Sequence, residues 1–168
     1  VGKPQYYLGG DVIELPEPWN KEGIFTAFSA ETYIKNCLPK LAVMCDTVEF
    51  KKYNTPFSET YHPEADDTDL LSPKEISKYK SLIGSGNWLI TLGRFDIQFS
   101  ISTLSQYSMV PHVGHMKALH CVFGYLSRYG HGQIPIDVAD APIREQAMIT
   151  KGQNWIEFYP DAGEDIPR

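Results

Sequence analysis

The chain has 168 residues, 42% of them hydrophobic and 21% charged, with a net charge of −6 and a pI near 5.3. That length fits one domain and is enough to bury a core, while the composition excludes a disordered chain. Three cysteines (Cys37, Cys45, Cys121) exclude a dense disulfide scaffold and fit a reducing compartment. No apolar run reaches the roughly 20 residues of a membrane span, so no membrane partner is expected. No basic-then-apolar leader follows Val1, so no signal peptide is expected, and the missing initiator methionine points to a segment of something longer.

An acidic whole argues against a nucleic-acid binder, but the charge is unevenly distributed. Residues 58–72 hold five acids and no lysine or arginine. Residues 73–132 hold six bases against two acids, and residues 133–168 hold seven acids against three bases. A mildly basic middle is thus bracketed by acidic flanks.

In chain order, residues 6–14 read as a strand in which Gly9 and Gly10 mark a bulge or a close backbone approach. Pro16, Pro18, Asn20 and Gly23 make residues 15–23 a loop, and Ile24 to Phe28 a second strand of a long-connection hairpin. Ser29 is an N-cap for a helix carrying Ile34, Leu38, Leu41 and Cys45 on one face. Pro39 should kink or split that helix near Leu38. Residues 51–72 read as a surface excursion. Ser72-Pro73-Lys74-Glu75 is a capping box with proline at the first helical position, opening a helix to about Thr91. Gly84 and Gly86 inside it each cost about 1 kcal/mol, so tight packing against a neighbouring helix is expected at both. Asp96 can open a third helix over Ile97, Ile101 and Leu104. A fourth follows Pro111, with Val113, Met116, His120, Phe123 and Leu126 inward and Gly130 past its end. The tail after Gly132 is extended and proline-rich, and Trp155 to Tyr159 could be a further strand. The expected fold is α+β: an N-terminal hairpin (1–28), about four helices (29–132) and an extended acidic tail (133–168).

Several side-chain groupings have the composition of a site. His112, His115 and His120 beside Cys121 resemble zinc ligands in type, but lack a Cys-x-x-Cys pair. Asp66-Asp67-x-Asp69 could hold a hard cation, but no glycine turn or later glutamate completes a calcium loop. Packing histidines and a solvated acidic loop are the plainer readings. Gly84-Ser85-Gly86 has no following lysine and is no phosphate loop.

Six stretches, in order, resemble one family. Tyr6-Tyr7-Leu8-Gly9-Gly10-Asp11-Val12 is similar to the hairpin that follows the polymerase palm in copia-type retrotransposon reverse transcriptases. Phe28 to Ile34, Tyr79 to Ser85, Arg94 to Ile97, Ile101 to Tyr107, and the series Pro111, His115, Lys117-Ala118 and Tyr125-Leu126 resemble the segments that come next. The sequence departs from the pattern at Phe95, where the family has proline, and at Cys121 to Gly124, where a basic cluster is usual.

The resemblance implies the primer-grip, thumb and connection segment of a larger polyprotein, inside the cell as a cytoplasmic virus-like particle or in the nucleus. Its partners would be an RNA/DNA hybrid or primer-template, the palm upstream and ribonuclease H downstream, whose acidic strand motif Tyr159-Pro160-Asp161-Ala162 echoes. The parent RNA-directed DNA polymerase would use Mg2+ held by paired palm aspartates. This segment would hold no metal and no catalytic residue. Tyr7, Leu8, Gly9 and Gly10 would set the primer end, and Lys74, Lys78, Lys80, Arg94 and Lys117 would meet phosphates. The alternative is a host-retained remnant acting as a non-catalytic protein-interaction module, suggested by the missing active sites and the negative charge.

Overall fold

The computed structural model describes residues 5–14 and 25–137. The expected 15–23 loop, the Trp155 to Tyr159 strand and the acidic tail beyond Asp137 lie outside the described residues. The described residues form an α+β fold, with a four-stranded antiparallel sheet and four α-helices among them.

The expected strand over 6–14 is two strands, β1 (Tyr6–Tyr7) and β2 (Gly10–Glu14), joined by a two-residue turn. Leu8 (φ 47°) and Gly9 (φ 94°) both take the left-handed conformation that such a hairpin turn requires. The glycines therefore mark a turn, not a bulge. Strand β3 (Phe25–Ser29) pairs with β2. Strand β4 (Gln133–Asp137) pairs with the other side of β3, from Phe25↔Asp137 to Ser29↔Gln133. The start of the expected tail is thus extended, as read, but it is also a sheet strand. Pro135, which has no N–H, is tolerated because β4 lies last in the strand order among the described residues.

Between β3 and β4 the chain runs through α1 (Glu31–Met44), α2 (Pro73–Thr91), α3 (Gln98–Ser105) and α4 (Val113–Tyr129). The start of α1 is capped from the sheet. Glu31 N–H donates to Ser29 Oγ (3.2 Å) and Thr32 N–H to Asp11 Oδ2 (3.0 Å). Pro39 does not split α1, because Ile34 before it and Leu41 and Ala42 after it are held in one core. The carbonyl it leaves without an amide lies on the side of the exposed Lys35 and Lys40.

Helix α2 has both halves of its capping box: Ser72 N–H donates to Glu75 Oε2 (2.9 Å), and Ser72 Oγ accepts from Glu75 N–H (3.4 Å). Its inner side buries Tyr79, Leu82, Ile83, Gly86 and Leu89. Tyr79 has no solvent exposure and donates its hydroxyl to the Leu104 carbonyl at the end of α3 (2.7 Å), which satisfies its one polar atom. Helix α4 buries Ala118, Leu119, Val122, Phe123 and Leu126 together with Gly114 and His115. Of the residues expected inward, Phe123 and Leu126 are buried, while Val113, Met116 and His120 are only half-buried. Among the described residues no helix is long and apolar enough to cross a membrane.

The two α2 glycines have opposite surroundings. A Cβ at Gly86 would strike the Ile101 side chain of α3, so packing between helices explains this glycine. A Cβ at Gly84 would meet nothing within 4 Å, so the packing expected there is not found. Gly84→Ala should therefore stabilise the chain by about 0.4–1 kcal/mol, and Gly86→Ala should destabilise it by about 1–3 kcal/mol. Urea unfolding of the two variants checks both signs.

Candidate nucleic-acid interface

Because α2 turns 3.6 residues per turn, burying one side leaves a continuous outer side. Lys74, Ser77, Lys80, Ser81, Gly84, Asn87, Trp88 and Thr91 are exposed there. From Ser77 to Thr91 this side carries no carboxylate. Lys80, Gly84 and Trp88 fall at i, i+4 and i+8 and form one stripe, about 12 Å from end to end at 1.5 Å per residue. Ser81 Oγ and Ser85 Oγ donate to the Ser77 and Ser81 carbonyls (3.0 Å each), which leaves their lone pairs facing outward. The stripe is low, weakly basic and open at its middle.

The hairpin turn sits at the C-terminal end of that helix. A Cβ at Gly9 would lie 3.7 Å from Trp88 Nε1 and 3.9 Å from both Leu92 methyls, so the turn faces Trp88 and Leu92 with room for a methyl group between them. Gly10 is buried under the Phe28 ring, which leaves no room for a side chain. Tyr6, Tyr7 and Leu8 are 58%, 62% and 67% exposed. A leucine in the left-handed region is unfavourable by about 1–2 kcal/mol, yet Leu8 presents its side chain to solvent.

The structure divides the residues singled out from the sequence into groups. Gly9 faces Trp88 and Leu92 near the end of α2, with Tyr7 and Gly10 flanking the turn. Lys74 and Lys80 are exposed on α2. Lys78 is largely covered and ion-paired with Asp46, just past the end of α1. Lys117 is exposed in a separate cleft of about 270 Å³ beside Thr47, Lys51 and His120, away from the α2 stripe.

Arg94 is not on the surface, which corrects its reading as a phosphate contact. It is 4% exposed, and Asp96 takes its fork through Nε–Oδ1 (3.0 Å) and Nη2–Oδ2 (2.6 Å). Burial works against the Asp96 carboxylate, but the Arg94 fork holds it below the usual range. The Tyr125 ring lies 6.0 Å from the guanidinium. Trp88 and Gly84 were missed as site residues. They lie at i+4 and i+8 from Lys80 on an acid-free side, which the sequence shows, but Gly84 reads there as a packing glycine and Trp88 is not singled out.

His112, His115 and Asp66 form a structural latch, while His120 packs apart from them against Phe50. His115 is 1% exposed, and both its ring nitrogens are engaged: Nδ1 accepts from His112 N–H (2.9 Å), and Nε2 pairs with the Pro63 carbonyl (3.0 Å). Tyr107 stacks on its ring at 4.2 Å. His112 Nδ1 pairs with the Thr68 carbonyl. The Asp66 carboxylate accepts from Tyr61 Oη (2.5 Å), Thr68 Oγ1 (2.6 Å) and Thr68 N–H (3.0 Å). It packs against the bare face of Gly114, where a Cβ would collide with it. Thr68 Oγ1 and the Asp69 carbonyl accept from the first α4 amides, Gly114 N–H and Val113 N–H (2.9 Å each). The 61–71 segment is thus tied to the α4 N-terminus by groups that the sequence offered as metal ligands. Among the described residues no group of three or more His, Cys, Asp or Glu is placed to hold a metal ion. Comparison of the chain with protein-family models, with curated proteins and with solved structures found no match.

Burial raises the Asp66 pKa, but the Thr68 and Tyr61 hydrogen bonds outweigh it and hold the carboxyl at about 2, below its usual 3.8. A depressed pKa contributes stability above the unfolded value, and that stability is lost as pH falls toward the folded value. The midpoint of urea unfolding should therefore drop between about pH 4 and pH 2 more steeply in the native chain than in Asp66→Asn. Equal slopes would show that Asp66 is not coupled to folding.

Proposed function

We propose that this chain positions a nucleic-acid duplex of the RNA/DNA hybrid class and has no catalytic site of its own, as the primer-grip, thumb and connection segment of a copia-type reverse transcriptase would. The observation that carries this reading is the outer side of α2: an acid-free stripe of Lys80, Gly84 and Trp88, continued by the exposed hairpin turn.

A hybrid with A-like geometry offers a wide, shallow minor groove lined by 2′-hydroxyls and edged by phosphates. A helix that enters such a groove needs small residues at the point of closest approach, acceptors for hydroxyls and cations at the edge. Gly84 gives the approach, Ser81 and Asn87 give polar groups, Lys74 and Lys80 reach phosphates, and Trp88 offers an apolar face to sugars. Sequence is not read, because most of these contacts are to the backbone. The exposed turn, with Leu8 at its tip, would meet the primer end. Bond formation would belong to the Mg2+-binding aspartates of the palm, with ribonuclease H downstream.

Fluorescence anisotropy with a labelled hybrid tests the reading. Two phosphate contacts imply an affinity loss of about 10-fold between 50 and 200 mM salt, and Lys80→Ala should flatten the salt slope by about 1. Gly84→Leu should weaken binding at least about 10-fold without loss of helix stability. Salt-independent binding, or a Gly84→Leu affinity equal to that of the native chain, would reject it and favour the protein-interaction module.

A further inference from the structure

Residues 48–57 cross α4 with little to hold them. Among the described residues no backbone hydrogen bond involves them, so their attachment rests on packing. Val48 is exposed, whereas Phe50 is buried against two α4 rings, Phe123 at 5.5 Å and His120 at 5.4 Å between centroids. One turn on from His120, the Lys51 carbonyl and the Tyr53 ring lie on the bare face of Gly124, where a Cβ would collide with both. The Phe50 anchor is thus apolar on one side and walled by a histidine on the other.

That wall suits only a neutral ring. His120 Nε2 is buried and has no hydrogen-bond partner among the described residues. An imidazolium donates from both nitrogens, and a buried donor without an acceptor is costly, more so when charged. Burial accordingly pushes the His120 pKa below its ordinary 6.5. The groups beside the ring do not offset this. The cleft it lines holds Lys51 and Lys117 against the carboxylate of Glu49, and Asp46, just before Thr47, is taken up by Lys78. Tyr53, raised by its hydrogen bond to Cys121, and Cys121, raised by burial, stay neutral below pH 7.

We propose that His120 is a proton-sensitive joint between α4 and residues 48–57: a proton taken from solvent onto its ring expels the ring from the Phe50 anchor and releases the segment, while the helical core stays folded. This goes beyond the duplex reading and does not depend on it. Release uncovers Phe50, Phe123 and the bare face of Gly124, an apolar strip that is closed at neutral pH. Because the folded pKa is depressed, docking is most stable above 6.5 and is lost as pH falls through the folded value.

NMR of the whole chain between about pH 7.5 and pH 5 tests this. The NOE between the Phe50 and Phe123 rings should be present at neutral pH and disappear on acidification. Its midpoint should match that of the His120 Cε1 proton and lie below 6.5, with the Tyr79 and Leu104 amide shifts unchanged. His120→Leu, which cannot take up the proton, should keep the NOE across the range, and His120→Gln is a second neutral variant should leucine fail to pack. An NOE that survives in the native chain after His120 has titrated, or that is lost equally in the neutral variants, would overturn the proposal. So would loss of the Tyr79 and Leu104 shifts together with the NOE, because the event would then be global unfolding.

Discussion

The buried hydroxyl of Tyr79 sets the constraint on which the rest of the structure depends. Its ring has no solvent exposure, and its hydroxyl has the Leu104 carbonyl as acceptor at 2.7 Å. A buried phenol left without that acceptor would lose about 1–3 kcal/mol, so α2 can lie on α3 in only one rotation. Burial raises the Tyr79 pKa further above its ordinary value, so the hydroxyl stays a donor well beyond neutral pH. Once the rotation is fixed, Leu82, Ile83, Gly86 and Leu89 must face inward. Lys80, Gly84 and Trp88 must then face outward. The open stripe is the other side of the helix that the core requires.

The remaining elements hold that helix from different directions. Ile101 of α3 fills the notch at Gly86. The Ser72–Glu75 capping box fixes where α2 begins, and Asp46 at the end of α1 takes up Lys78. Past its C-terminus, Gly93 (φ 95°) reverses the chain beneath Phe28 and Ile134 of the sheet. Arg94 then closes the bend on Asp96 and Tyr125. The sheet therefore rests on the end of α2, and that docking brings the hairpin turn to face Trp88. The His115 and Asp66 latch belongs to the scaffold. It holds the acidic 61–71 segment on the α4 N-terminus.

Much of this was legible in the sequence. Ser72, Pro73 and Glu75 announce α2 because the cap is local and its chemistry is complete within four residues. The α+β class and the four helices follow from periodicity and from glycine and proline punctuation. What was not legible depends on contacts between distant residues. Strand β4 contains Pro135 and reads as a linker, and only its pairing along β3 makes it a strand. Helix α4 is covered on more than one side, so a single apolar stripe placed Val113, Met116 and His120 too deep. Arg94 reads as a surface cation because it belongs to the basic middle of the chain, and sequence alone does not show that its fork to Asp96 is buried. Gly84 and Gly86 look alike in sequence, and only the positions of their neighbours separate a packed glycine from an open one.

The most direct measurement is a backbone and indole NMR titration of the chain with an RNA/DNA hybrid. The account expects the largest shifts at Lys80, Gly84, the Trp88 indole N–H and the turn from Tyr7 to Gly10, with the Tyr79 and Leu104 amides unmoved. Shifts confined to the 57–71 segment or to the Lys117 cleft, with the α2 stripe silent, would contradict it.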